Sequence, residues 1–229
     1  MPTTDLIARL HAVQNRIRAA ESRFGRMPGS VGLLAVSKTQ SVAAIRAVAA
    51  AGQRCFGENY PQEALGKIAE LADLHLEWHF IGPLQANKTR GIAEHCAWVH
   101  SVDRLKIAER LNAQRPDDLP PLNVCLQVNI DREPTKHGVD EAELATVAMA
   151  VAALPRLRLR GLMAIPAPTP DFNAQRQAFA RLRIWQEQLN ASGLALDTLS
   201  IGMSDDLEAA VAEGATLVRI GAALFGPRS

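Results

Sequence analysis

The residue in this 229-residue chain best placed for covalent chemistry is Lys38. It closes the run Leu33-Leu-Ala-Val-Ser-Lys38, in which an apolar, β-type segment leads straight into an amine. A lysine at such a strand end is partly desolvated, and loss of water disfavours the ammonium form and lowers its pKa. An amine that is neutral part of the time is what Schiff-base formation with an aldehyde requires. The structural alternative is a lysine that reaches solvent along its own stem. A second constellation lies near the C-terminus. Ser200-Ile-Gly-Met-Ser204 and Leu217-Val-Arg-Ile-Gly-Ala-Ala223 each run from an apolar segment into small residues. Backbone N–H groups there, at the start of a helix opening at Ser204, can hold a phosphate, while Gly202, Gly221 and Ala222 allow it to approach closely. Asp205 and Asp206 in the same turn would repel an anion unless they point away; an ordinary capped helix is the alternative. Arg219 is the third candidate, a charge between Val218 and Ile220 that must point inward and be paired. A phosphate, a carboxylate or a heteroaromatic nitrogen would serve as its partner, as would an internal acid such as Glu58.

These groups need a frame. Leu6, Leu10, Val13, Ile17 and Phe24 recur at three- and four-residue multiples and predict an N-terminal amphipathic helix. After it, β-rich runs at 31–37, 54–57, 76–82, 98–102, 122–130, 157–165, 198–202 and 217–221 alternate with helical stretches at 41–51, 62–72, 87–95, 103–112, 140–154, 172–192 and 204–213. Ser41 is a capping residue, Asp140 with Glu143 has capping-box spacing, and Gly52, Gly193 and Gly214 stand where helices should stop. Eight strands separated by seven helices imply a parallel sheet closed into a single (β/α)8 barrel spanning 1–229, with 1–30 as a helix and loop packed on it. An open doubly wound sheet would fit six strands better. In such a barrel, chemistry sits at the C-terminal strand ends, where Lys38, Glu58-Asn59, His79, His100, Asn129, Met203-Ser204 and Arg219 fall.

Composition narrows the function classes. Lys and Arg number 25 against 24 Asp and Glu, a net charge of +1 that leaves no footprint for nucleic acid or an anionic membrane. No apolar run approaches the roughly 20 residues that span a bilayer, and no signal peptide is readable. Cys55, Cys96 and Cys125 are widely spaced in apolar stretches and read as reduced thiols of a cytoplasmic protein. A monomer is expected, because no long exposed apolar helix face is evident. His75, Glu77 and His79 make HxExH, not the HExxH of zinc proteases, and their alternation with Leu76, Trp78 and Phe80 favours a strand, so no metal is expected.

An aldehyde-reactive lysine, a phosphate cup and a buried cation together describe pyridoxal 5′-phosphate (PLP). The lysine would take the aldehyde, the cup the phosphate and Arg219 the ring nitrogen. The strings Ala35-Val-Ser-Lys38, Phe56-Gly-Glu-Asn-Tyr60, Trp78-His-Phe-Ile-Gly-Pro-Leu-Gln85, His100-Ser-Val-Asp103, Lys136-His-Gly138, Gly161-Leu-Met163, Gly202-Met-Ser-Asp-Asp206 and Val218-Arg-Ile-Gly221 moreover resemble the pyridoxal phosphate homeostasis proteins (the YggS/PROSC-like family). The resemblance runs from Lys38 to Gly226 and implies the barrel of the alanine racemase N-terminal domain. It also implies PLP on Lys38, Arg219 at the pyridine nitrogen, a phosphate around Met203, Ser204, Gly221 and Ala222, and Asn59 and His79 lining the pocket. Some relatives carry threonine where Ala222 stands, so a side-chain donor to the phosphate would be missing here.

An arginine at the ring nitrogen disfavours the protonated pyridinium that aminotransferases and decarboxylases exploit. Racemisation is compatible with arginine, but the resembled racemase takes its second base, a tyrosine, from a further domain, whereas Tyr60 is the single tyrosine here. The expectation is therefore a PLP-binding protein of intracellular PLP homeostasis that buffers or delivers the cofactor without robust catalysis. Its partners would be PLP, related B6 vitamers and, transiently, apo-PLP enzymes. A low-activity racemase, or a Schiff-base phosphosugar aldolase or isomerase, are the alternatives. Lys136-His137-Gly138 reads either as a second phosphate contact or as a solvated loop.

Overall fold

The computed structural model describes residues 3–131 and 137–226. The N-terminal helix α1 (Thr3–Arg23) buries the stripe Leu6, Leu10, Val13, Ile17 and Ala20. Beyond it the chain turns back at Gly29, where Glu21 accepts the backbone N–H groups of Gly29 (3.0 Å) and Val31 (2.8 Å). A buried carboxylate that collects backbone donors ties the end of α1 to the start of the sheet.

Eight strands follow: β1 (Gly32–Val36), β2 (Cys55–Glu58), β3 (Glu77–Phe80), β4 (Trp98–Val102), β5 (Leu122–Gln127), β6 (Leu157–Met163), β7 (Thr198–Ser200) and β8 (Leu217–Ile220). Each pairs in parallel with the next, and β8 pairs back on β1 with Leu34 opposite Arg219, so the sheet is a closed barrel. The connecting helices are α2 (Val42–Ala50), α3 (Pro61–Glu70), α4 (Thr89–His95), α5 (Leu105–Gln114), α6 (Glu141–Ala152), α7 (Phe172–Ala191) and α8 (Leu207–Ala212), with α9 (Ala222–Phe225) after β8. The α1 helix packs on α2, α8 and α9 and so braces the exits of the last two strands.

The expected (β/α)8 architecture is present, and the differences are local. Strands are shorter than the apolar runs because the chain leaves the ladder by single bonds, such as Ser37 N to Gly57 O (2.9 Å) and Arg219 N to Gly202 O (2.9 Å). Ser41 caps α2 through Ala44 N as expected, whereas the Asp140 side chain makes no cap bond to α6. The stretch expected to be helical from Ser204 begins its helix only at Leu207, because Ser204–Asp206 form a turn of their own. The short α9 was not anticipated: four residues are too few to show a period.

Gly161 marks a register shift between β5 and β6. A Cβ there would lie 1.7 Å from the Thr198 carbonyl oxygen, in the adjoining β7 backbone. Gly161→Ala is therefore expected to destabilise the barrel by about 1–3 kcal/mol through overpacking. Urea denaturation checks this, and wild-type stability would contradict the crowding argument.

Candidate cofactor site

The C-terminal mouth of the barrel holds a cavity of about 300 Å³, at the lower end of small-ligand sites. Seven residues singled out from the sequence share its wall: Lys38, Asn59, Met203, Ser204, Arg219, Gly221 and Ala222. They come from the exits of β1, β2, β7 and β8. His79 is not among them; it lies deeper, inside the barrel, with 2% of its surface exposed.

Lys38 follows β1 in a turn that is held on both sides. Before it, Ser37 donates its hydroxyl to Glu58 Oε1 (2.6 Å), and its carbonyl accepts Lys67 Nζ (2.6 Å). After it, Thr39 takes a left-handed φ of +62° and donates its N–H to Glu63 Oε1 (2.6 Å). A β-branched residue in that region is strained by about 1–3 kcal/mol and persists only where its surroundings over-determine it. Lys67 supplies that constraint, since its ammonium also meets Glu58 Oε1 (2.8 Å) and Glu63 Oε1 (2.6 Å). Glu58 is fully buried, and burial raises its pKa even against the bonds from Lys67 and Ser37. The sequence reading missed this cluster, although Glu63 and Lys67 stand at an i,i+4 spacing that signals a helix-borne pair.

Beside the Lys38 turn, the exits of β7 and β8 line the cavity with backbone and small side chains at Ser204, Gly221 and Ala222, and Gly202 leads into them. Gly202 has a φ of +93°, and a Cβ there would come within 2.6 Å of Ala210 Cβ. At Gly221 a Cβ would meet the Val36 carbonyl at 3.3 Å, so β1 and the β8 exit approach closely. Ser204 does not cap α8. Its hydroxyl instead accepts Ala223 N (3.3 Å), joining the β7 exit to the first turn of α9, while its carbonyl accepts Arg16 Nη1 (3.1 Å) from α1. Arg16 also clasps Glu208 at 2.9 and 2.8 Å. Of the two acids in the turn, Asp206 faces inward and accepts Met203 N (2.5 Å), with burial raising its pKa, and Asp205 borders the cavity. Beyond Ile165, Met203 and Asp205 a second cavity of about 390 Å³ opens between the loop after β6 and α7.

Arg219 enters from β8 and is 4% exposed. It does not pair with Glu58, which belongs to Lys67. Its Nη1 donates to the Ser200 carbonyl and to Ser200 Oγ (2.9 Å), and its Nη2 to the Ala164 carbonyl (2.9 Å). Burial lowers its pKa to about 10, which leaves it a cation at neutral pH. Three of five N–H donors are thus engaged by protein among the described residues, in a side chain that borders the cavity. Asn59 Oδ1, also on that wall, is buried without a hydrogen-bond partner among the described residues. A primary amine, a buried cation with donors to spare, an unmet amide oxygen and a backbone cradle suit a small anionic ligand with an aldehyde and a ring acceptor. Of the Lys136-His137 pair, Lys136 lies outside the described residues, and His137 Nδ1 is 3.3 Å from Asp103.

Two outcomes follow from this geometry. Lys67→Met leaves the Glu58 carboxylate buried and uncompensated, which is expected to cost about 3–5 kcal/mol; chemical denaturation measures it, and a loss below 1 kcal/mol (roughly a fivefold change in the folding constant) would contradict the role assigned to the pair. His79 and His100 both titrate below their ordinary 6.5 because burial penalises the charged ring, with Arg219 adding to the effect at His100. The unfolded chain therefore binds protons that the fold rejects, and stability is lost as pH falls below about 6.5, by up to ~1.4 kcal/mol per pH unit for each ring. Glu58 and Asp206, whose values burial raises, work in the opposite sense. Urea midpoints should drop between about pH 7.5 and 6, less so in His100→Gln; equal slopes in the two proteins would refute the assignment.

The family model of the alanine racemase N-terminal domain matches residues 8–229. A Pseudomonas aeruginosa protein named pyridoxal phosphate homeostasis protein is 66% identical over 216 residues, covering 94% of this chain and 93% of its own. PipY of Synechococcus elongatus PCC7942, solved with PLP bound, is 43% identical and superposes with a TM-score of 0.82 over 91% of this chain and 98% of that one. Alanine racemase from Corynebacterium glutamicum shares the fold at 19% identity and a TM-score of 0.71, with 62% of its chain covered. The chain belongs to the alanine racemase N-terminal domain family, among the pyridoxal phosphate homeostasis proteins.

Proposed function

We propose that this chain binds pyridoxal 5′-phosphate in the cavity at the barrel mouth, as a Schiff base on Lys38, and buffers or delivers it within the cell without robust catalysis. The observation that carries this reading is the convergence of Lys38, Arg219, Ser204 and Gly221 on one cavity, in a chain 43% identical to a PLP-bound relative. When bound, the cofactor supplies an aldehyde that condenses with a primary amine and a ring that withdraws electrons.

The residues of the chain explain both halves of the proposal. Lys38 is held in its turn by the Lys67 cluster, which fixes where the amine stands relative to the cavity. Gly221, Ala222 and Ser204 bring backbone and a hydroxyl to the cavity wall at the exits of β7 and β8, where N–H donors can recognise a phosphate. Arg219 only donates, so it meets a ring nitrogen as an acceptor and opposes its protonation. Two-base racemisation also needs a second acid–base group on the far side of the ligand. Among the described residues, the cavity wall carries no tyrosine and no histidine. Tyr60 is half exposed to solvent, and His79 and His100 are committed to bonds inside the barrel. Apo-PLP enzymes are the transient partners that delivery requires, and the absence of a membrane-spanning helix among the described residues fits work in the cytoplasm.

The purified protein incubated with PLP should show a visible absorption band. Borohydride should trap a pyridoxyl group on Lys38 by peptide mapping, and Lys38→Ala should lose both. A protein that stays colourless with added PLP would overturn the reading. Amino-acid racemisation at ordinary enzymatic rates, abolished in Lys38→Ala, would overturn its non-catalytic half.

A further inference from the structure

Five polar side chains from four strands form one continuous hydrogen-bonded line through the barrel interior. Glu77 and His79 on β3 are joined Oε1 to Nε2 at 2.9 Å. His79 Nδ1 meets His100 Nε2 on β4 at 2.9 Å, and His100 Nδ1 meets Ser200 Oγ on β7 at 2.7 Å. Arg219 Nη1 on β8 reaches the same hydroxyl at 2.9 Å. His79, His100, Ser200 and Arg219 are buried, whereas the Glu77 side chain is 47% exposed at the N-terminal mouth of the barrel. The line thus crosses from one mouth to the wall of the cavity at the other.

Proton counting gives the line a direction. Arg219 only donates, so Ser200 Oγ accepts from it and must place its own proton elsewhere. Among the described residues, His100 Nδ1 is the remaining partner of that hydroxyl, so it is the acceptor. A neutral His100 then carries its proton on Nε2 and donates to His79 Nδ1. His79 in turn carries its proton on Nε2 and donates to Glu77. Every donor points away from the cation and toward the carboxylate, an alignment in which each bond polarises the next. Burial keeps both rings neutral, and the bond from His79 lowers the Glu77 pKa, in agreement with this assignment. The Cys55 thiol, 3.5 Å from Glu77 Oε1, adds a donor at the anionic end. Trp98 stacks on His79 with ring centroids 5.4 Å apart and fixes its plane. The Arg160 guanidinium also lies over Trp98, 4.8 Å from the ring centroid.

We infer that Glu77, His79, His100 and Ser200 are positioning residues for Arg219: the line turns a Ser200 lone pair toward the guanidinium, so that its uncommitted donors face the cavity. The consequence for a ligand, a fixed contact to the ring nitrogen, rests on the PLP reading above; the line itself does not. Without the imidazole as acceptor, the Ser200 proton competes for the space in front of Nη1, and Arg219 loses one of its three anchors.

Nitrogen-15 NMR of the ligand-free protein tests the line directly. At neutral pH both rings should be neutral with the proton on Nε2; an imidazolium at either position, or a proton on His100 Nδ1, overturns the assignment. The Arg219 Nε–Hε signal reports the positioning. It should exchange with water at least about tenfold faster in both Ser200→Ala and His100→Gln, the second at a residue whose hydrogen bonds go to His79 and Ser200, as expected for loss of one charge-assisted bond. Unchanged exchange in whichever of these variants folds overturns the positioning role, whatever happens to the melting temperature. With PLP added, Ser200→Ala should bind about tenfold more weakly and show a shifted absorption maximum. Wild-type affinity and spectrum in that variant would refute the consequence for the ligand. Failure of the wild-type protein to bind PLP would sink the function proposed above and leave the NMR result to decide the line.

Discussion

Arg219 puts a positive charge inside a barrel whose outer layer is apolar, and a cation withdrawn from water must be met by oxygen at every turn. Among the described residues, the barrel meets it without an ion pair to a carboxylate. Two carbonyls, of Ser200 and Ala164, and one hydroxyl take three of its protons. That choice leaves the charge of the guanidinium uncancelled by a bonded anion and its donors only partly consumed. It also explains why the interior around it is polar: a hydroxyl that accepts from arginine needs somewhere to send its own proton, and two histidines and a glutamate carry that requirement to the opposite mouth.

The second buried charge is handled differently. Glu58 has Lys67 in direct contact, and the pair is used as a clamp on backbone. Removing a carboxylate and an ammonium from water costs more than their attraction returns unless further hydrogen bonds complete the geometry. Here the further bonds go to Ser37 and Glu63, the residues that hold the turn carrying Lys38. The cost of burying the pair and the strain at Thr39 are thereby spent on one result: a lysine held on the wall of the cavity that Arg219 also lines. The α1 helix serves the other wall in the same way, through Arg16 on the Ser204 carbonyl.

Much of this was legible in the chain. Alternation of apolar runs with helical stretches determined a closed parallel barrel, because eight β–α units leave few other ways to bury both faces of a sheet. The strand-exit rule, with the small residues after β7 and β8 read as a phosphate cup, then pointed to Lys38, Asn59, Met203, Ser204, Arg219, Gly221 and Ala222, which line one cavity. What failed was local. Ser204 looked like the cap of a helix, yet its hydroxyl goes to α9, a four-residue helix from another strand exit. His79 stood near a strand end and was expected in the pocket, but its ring turns to the interior, where His100 is its partner.

The sequence by itself determined the barrel, the order of the exits and the residue types available at each, because these follow from periodicity and from burial along one segment at a time. Only the tertiary structure decided the partners. Whether Glu58 would answer Arg219 or Lys67, and where the proton of Ser200 would go, depends on which side chains from distant strands meet across a few ångströms. No spacing within one segment encodes that meeting; closure of the barrel does.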